Sequence, residues 1–150
     1  MIGVEFGDQP AVRCESMGTT ENKQIVRAAF DAWADGDGDF FRLLSDDVRW
    51  TITGTSVLAG TYTSRSQFLE AIRPIGARLS GPITPTVQSI VAEDDVVVVW
   101  WRGHATALDG QPYDNEYSWH MRLRDGAIVE VTAFLDTPTV NDLLQRVSLS

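Results

Sequence analysis

The stretch ALDGQPYDNEYSWHMRLRDGAIVEVTAFLDT, residues 107–137, holds two strand patterns joined by Arg124-Asp125-Gly126. In the first, Tyr117, Trp119, Met121 and Leu123 alternate with Glu116, Ser118, His120 and Arg122, the period of two that marks a strand buried on one face. Asp125-Gly126 accepts the positive φ angles of a two-residue hairpin turn. The chain is therefore expected to reverse into a second strand, Ile128 to Leu135, with Val129, Val131, Ala133 and Leu135 on one side. Two aromatics and a thioether then line one surface, which predicts an apolar cavity without specifying a reaction inside it.

Upstream of this hairpin lies TVQSIVA from Thr86, an Asp94-Asp95 turn, and the run VVVVWWRGHATAL over residues 96–108. That run is apolar on both faces until Arg102, as a central strand covered on both sides would be. One face carries Val96, Val98, Trp100, Arg102, His104 and Thr106, and is expected to share the hollow with Trp50 and Trp119. The other carries Val97, Val99, Trp101 and Gly103, an apolar patch that pairing with a second copy of the chain would bury.

Further upstream, Thr20 is a fair N-cap for a helix in which Val26, Ala29, Phe30 and Trp33 recur at helical spacing, ended by DGDGD at 35–39. A short helix over Asp39 to Leu44 and a half-buried strand through Val48, Trp50 and Ile52 follow, then a loop from Gly54 to Gly60. Ser64 caps a third helix whose apolar side is Phe68, Leu69, Ile72, Ile75 and Leu79, with Pro74 expected to bend or break it near Ile72 and Arg73. Val140 to Arg146 reads as a closing helix after Pro138. Helices first and a meander of strands later argue an α+β fold, a curved, mostly antiparallel sheet wrapped around three helices on the N-terminal side.

At 150 residues the chain suits one domain, residues 17–150, preceded by a tail at 1–16 that shows no sustained helical or strand period. A net charge of -9 without a Lys/Arg cluster argues against nucleic acid and against an acidic membrane surface. The lone Cys14 has no internal disulfide partner, and no run of about 18 apolar residues suggests a membrane span, so a cytoplasmic protein is expected. Neither a metal nor a cofactor is expected. The alternating Asp35, Asp37 and Asp39 hint at calcium but lack the closing Glu of an EF-hand loop, and the two histidines and one cysteine are scattered.

The opening helix ending in ADGD (34–37), the strand LSDDVRWTITG (44–54), the hairpin LDGQPYDNEYSW (108–119) and RDGAIVEVTAFLDT (124–137) together resemble the SnoaL-like branch of the nuclear-transport-factor-two-like superfamily. That branch is similar to ketosteroid isomerases, polyketide cyclases and limonene epoxide hydrolases. The likeness covers roughly Thr20 to Leu144, and it implies a cone-shaped α+β barrel with a deep apolar pocket, paired as a homodimer through the outer sheet face. Ketosteroid isomerase chemistry needs a base and two oxyanion donors, but Ile52, Ala29 and Trp119 stand at the three matching positions, so that reaction is not expected. Of the Asp-Arg-Asp set of the epoxide hydrolases only Arg102 matches, with His104 and Ala133 in place of the carboxylates.

The resemblance thus nominates Arg102, His104 and, near the pocket mouth, Asp136. In this reading His104 takes a proton and Arg102 stabilises a developing anion on a hydrophobic carbonyl or epoxide compound. The competing reading pairs Arg102 and His104 structurally with Asp109, Asp114 or Asp136, and leaves a non-catalytic protein that binds a hydrophobic metabolite. Candidate ligand contacts are Trp33, Trp50, Ile52, Tyr62, Trp100, Tyr117 and Trp119, since five tryptophans in a domain of this size exceed what packing requires. His120, on the polar face with Ser118 and Arg122, is expected at a dimer contact or in solvent.

Overall fold

The computed structural model describes residues 18–149, so the expected tail at 1–16 and Cys14 lie outside the described residues. In chain order the elements are α1 (Thr19–Ala34), a 3-10 turn (Phe40–Leu43), β1 (Leu44–Ile52), β2 (Gly60–Tyr62), α2 (Arg65–Ala77), β3 (Thr84–Glu93), β4 (Val96–Thr106), β5 (Pro112–Arg124), β6 (Ala127–Leu135) and α3 (Thr137–Arg146). The strands form one sheet in the order β2-β1-β6-β5-β4-β3. Only β1 and β6 run parallel; all other neighbours are antiparallel. Three helices against this curved sheet make the expected α+β cone.

The hairpin that anchored the sequence reading is present. Asp125 and Gly126 take φ of 52° and 81°, and Arg124 pairs with Ala127 across the turn. These are the left-handed angles that an inverse type I turn requires and that Asp and Gly tolerate. Tyr117, Trp119, Met121 and Leu123 are buried. On β6 the expected run of Val129, Val131, Ala133 and Leu135 is corrected at its start. A bulge between Arg122 and Leu123 pairs Leu123 with Ile128 and leaves Val129 as the extra residue, so Ile128 enters the core instead.

Residues of α1 bury Val26 and Phe30 against the sheet. Its cap position is Gly18, with Thr20 already inside the helix, which corrects the expected cap. What holds the helix start is Thr19, whose hydroxyl donates to the carbonyl of Asp94 in the β3–β4 turn at 2.9 Å. The expected second helix is a 3-10 turn, capped by Asp39, whose carboxylate accepts from the Phe41 amide at 3.0 Å.

Ser64 caps α2 as expected, its hydroxyl accepting from the Gln67 amide at 3.0 Å. Pro74 does not break this helix, which runs to Ala77. The Pro74 carbonyl accepts from Arg78 Nη1 at 3.0 Å, while Arg78 Nε donates to the Val147 carbonyl at 2.8 Å, so the end of α2 is tied to the end of α3. The loop expected at 54–60 is present to residue 59 and leads into the short edge strand β2, which starts at Gly60. Pro85 lies within β3, at the opposite edge, where a missing N–H breaks no ladder.

Candidate functional site: an aromatic cavity with a tyrosine pair on its lining

Strand β4 decides which side chains meet. Val97, Val99 and Trp101 pair across the ladder with Met121, Trp119 and Tyr117. Directly opposed residues share a face of the sheet, so all six point to the concave side with α1. Trp101 is 1% exposed and its neighbour Trp100 43%. The two faces expected for this strand are therefore exchanged. Val97, Val99 and Trp101 belong to the interior and not to an outer patch, while Trp100, Arg102 and His104 stand on the convex face.

On that convex face the side chains are paired. His104 Nδ1 bonds the Asp114 carboxylate, and Arg102 Nε lies 3.6 Å from Glu116 Oε2. The Arg102 guanidinium lies over the Trp100 ring, 5.8 Å from its centroid, and the Trp100 indole N–H donates to Glu116. Asp136 precedes α3, and its Oδ2 accepts from the Thr139 hydroxyl at 2.6 Å. Arg102, His104 and Asp136 do come together, in a shallow convex recess with Asp114 and Glu116. It lies across the sheet from Trp50 and Trp119. His120 is also on this face, its ring edge-on to Phe134 at 5.2 Å.

The concave side encloses a cavity of about 400 Å³. Trp50, Ile52, Trp101, Trp119 and Ala133 of the sheet form its floor, Leu69, Ile72 and Ile75 of α2 one wall, and Phe40, Phe41 and residues 81–83 its margins. Leu69 and Ile72 stay only partly covered because they face this space. The aromatic rings brace one another: Trp50 stacks on Phe68 at 3.9 Å and Trp101 on Tyr117 at 4.0 Å, with Trp119 edge-on to both tryptophans at 5.0 and 4.8 Å. Such offset and edge contacts hold large rings in fixed orientations. Gly103 makes the second stack fit, since a Cβ there would come 2.9 Å from Ile83 and 3.1 Å from the Tyr117 ring.

Of the expected ligand contacts, Trp33, Trp50, Ile52, Tyr117 and Trp119 line the cavity. Trp100 faces outward, and Tyr62 instead donates its hydroxyl to the Leu58 carbonyl at 2.6 Å. Trp101, Phe40, Phe41, Phe68 and Tyr113 were not anticipated. The signal for Trp101 was present: from Arg102 onward, polar Arg102, His104 and Thr106 alternate with small Gly103, Ala105 and Ala107, and the simplest parity places the small residues inside.

Tyr113 and Tyr117 bring two hydroxyls to the cavity lining, with Asn115 packed beside them. Asn115 on β5 is buried, and its Oδ1 accepts from the backbone amides of Glu116 and Asp136 at 2.7 and 3.1 Å. Its Nδ2 donates to the Asp136 carbonyl at 3.2 Å and to the Tyr113 hydroxyl at 3.1 Å. The Tyr113 and Tyr117 hydroxyls lie 3.4 Å apart. Burial, then the neighbouring Tyr113, pushes the Tyr117 phenol well above its ordinary pKa, so it remains a neutral donor. The charged lining residues are Asp39 and Arg73, and Arg73 is a surface group paired with Glu70 at 2.9 Å. The indole N–H groups of Trp50 and Trp101 have no hydrogen-bond partner among the described residues.

A curved sheet and helices around an apolar, aromatic hollow define the class of small α+β cone proteins. The SnoaL-like domain profile matches residues 26–131, and the chain belongs to that family. Solved structures of similar fold include an NTF2-like protein from Burkholderia thailandensis, 24% identical, with TM-score 0.67 over 83% of this chain and 97% of that one. A candidate SnoaL-like polyketide cyclase from a Jannaschia species is 21% identical, with TM-score 0.67 over 87% and 96% of the two chains. TerC, co-crystallised with polyporic acid, is 21% identical, with TM-score 0.66 over 83% and 98%. No curated protein matches the sequence. Among the described residues no helix is long and apolar enough to cross a membrane, and no cluster of three or more His, Cys, Asp or Glu could hold a metal ion.

Proposed function

We propose that the protein binds a flat, hydrophobic small molecule between the tryptophans of the sheet and the apolar face of α2. One observation carries this: the residues nominated for acid-base work, Arg102 and His104, are paired on the convex face, whereas the cavity is walled by aromatic rings. A volume of about 400 Å³ falls in the range of small-molecule sites, which are mostly apolar with a few placed polar groups. Titration with 2-ethylnaphthalene, followed by quenching of the lining tryptophans, tests it. Ile72→Trp, which fills the space from α2, is expected to weaken binding at least tenfold, and His104→Ala to leave it unchanged. Absence of binding, or full binding by Ile72→Trp, refutes the proposal.

A second reading, an isomerase or cyclase acting on a carbonyl compound, is favoured by Asp39, the one carboxylate on the lining, whose Oδ1 caps the 3-10 turn. Asp39 would remove an α-proton and Tyr117 would hold the enolate oxygen. Deuterium exchange into the methyl group of 2-acetylnaphthalene in D2O, lost in Asp39→Asn, is the expected signature. Exchange no faster than in buffer discards it.

We also propose that two copies associate through the convex face, where Val91, Trp100 and Phe134 are exposed. That face carries both signs of charge, Arg102 and Arg122 beside Glu116 and Glu130, so a two-fold copy can oppose cation to anion.

A further inference from the structure

The backbone fixes the direction of the Asn115 hydrogen bonds beside Tyr113 and Tyr117. Asn115 Oδ1 accepts from two backbone amides, so its orientation is set, and Nδ2 must donate both to the Asp136 carbonyl and to the Tyr113 oxygen. Tyr113, 1% exposed, still has its own hydrogen to give, and its hydroxyl lies 3.4 Å from that of Tyr117, a pair in which either oxygen can donate. With Tyr113 as the donor of that pair, Tyr117 keeps its hydrogen for the cavity that it lines; at 8% it is the more open of the two rings. A chain of donors running Asn115 to Tyr113 to Tyr117 polarises the last hydroxyl in the same sense.

We propose that this end of the cavity recognises an uncharged oxygen of the ligand, a ketone or aldehyde carbonyl, which accepts from Tyr117 while Tyr113 and Asn115 act as positioning residues. The inference rests on the cavity being the ligand site, and it adds the chemical class of the ligand. A carboxylate is disfavoured because the cationic side chain on the lining, Arg73, is a solvated surface group already paired with Glu70. An anion placed at Tyr117 would be desolvated with no counter-charge beside it. A pure hydrocarbon would leave the Tyr117 hydroxyl without an acceptor.

The test compares three naphthalenes of one shape, 2-acetylnaphthalene, 2-ethylnaphthalene and 2-naphthoate, by quenching of tryptophan fluorescence. A buried neutral hydrogen bond predicts that the ketone binds about five- to tenfold tighter than the hydrocarbon, and that the carboxylate binds weakest. Tyr117→Phe is expected to abolish the ketone's advantage, read as the ratio of the ketone and hydrocarbon affinities. Tyr113→Phe is expected to reduce that ratio by releasing Tyr117 to rotate, whereas a general loss of packing would weaken ketone and hydrocarbon alike and leave the ratio as it was. Equal binding of ketone and hydrocarbon, an unchanged ratio in Tyr117→Phe, or tightest binding of 2-naphthoate overturns the inference but leaves the cavity reading standing. Failure of all three compounds to bind overturns both.

Discussion

Replacing Trp101 and Trp100 separately by alanine places the same deletion on opposite faces of one strand. Trp101 is 1% exposed and meets Tyr117, Trp119, Trp33 and Phe30 at ring separations of 4.0, 4.8, 5.1 and 5.6 Å. Its indole N–H has no partner to lose, so the change removes packing alone. Large-to-small substitution of a buried Trp costs about 3–5 kcal/mol, and at about 2–4 °C per kcal/mol the melting temperature falls by roughly 10 °C. Trp100, 43% exposed, loses one bond to Glu116 and the overlying Arg102, surface interactions worth about 1 kcal/mol or less together. Urea denaturation at two protein concentrations reads both values and separates folding from self-association. Should Trp101→Ala prevent folding, Trp101→Phe keeps the comparison. A concentration-independent loss at Trp100 equal to or larger than that at Trp101 would refute the facing of β4, and with it the cavity.

Alkaline pH supplies an independent measure of the tyrosine pair. Tyr117 has its folded pKa raised, so its contribution is complete below the ordinary phenol value and is lost as pH climbs from that value toward the folded one. Stability in that window is expected to fall by about 1.4 kcal/mol per pH unit for one proton, and the same titration of Tyr117→Phe should lack this component. Gly103→Ala brings a Cβ to 2.9 Å from Ile83 and 3.1 Å from Tyr117; a loss of about 1–3 kcal/mol on unfolding is expected, with weakened ketone preference. Trp100→Glu is expected to shift the mass seen by light scattering from dimer to monomer with ligand binding intact, and an unchanged mass would remove the convex face as the contact.

Much of the fold was legible because its signals were local. Asp125-Gly126 carried its turn in two residues, Ser64 its cap in one, and β5 alternated so cleanly that its faces could be read by eye. Where two effects competed, the sequence was ambiguous. Pro74 suits a helix break, yet the helix runs past it, with Arg78 bonded locally to the Pro74 carbonyl and across the fold to that of Val147. A bulge at Val129 shifts parity by one residue, which no periodic template anticipates. The candidate site suffered most, because VVVVWW has no alternation from which to tell inside from outside. The family positions then drew Arg102 and His104 to the wrong side of the sheet.

Parity in a strand is binary, so one inverted face moves every candidate group on it together. Once Tyr117 and Trp119 are known to face inward, their cross-strand partners Trp101 and Val99 must follow, and Arg102 and His104 are carried outward together. The same constraint that empties the cavity of those two groups fills it with Tyr113 and Tyr117, which lie four residues apart on β5 and so share one face. Between them Asn115 looks the same way, but its amide is consumed in joining β5 to the start of α3. Three of the four Asn115 bonds are to backbone, so its amide cannot turn to suit a ligand. The Tyr113 hydroxyl that it holds is therefore placed before any ligand arrives, and the contact proposed for Tyr117 would need no rearrangement at this end.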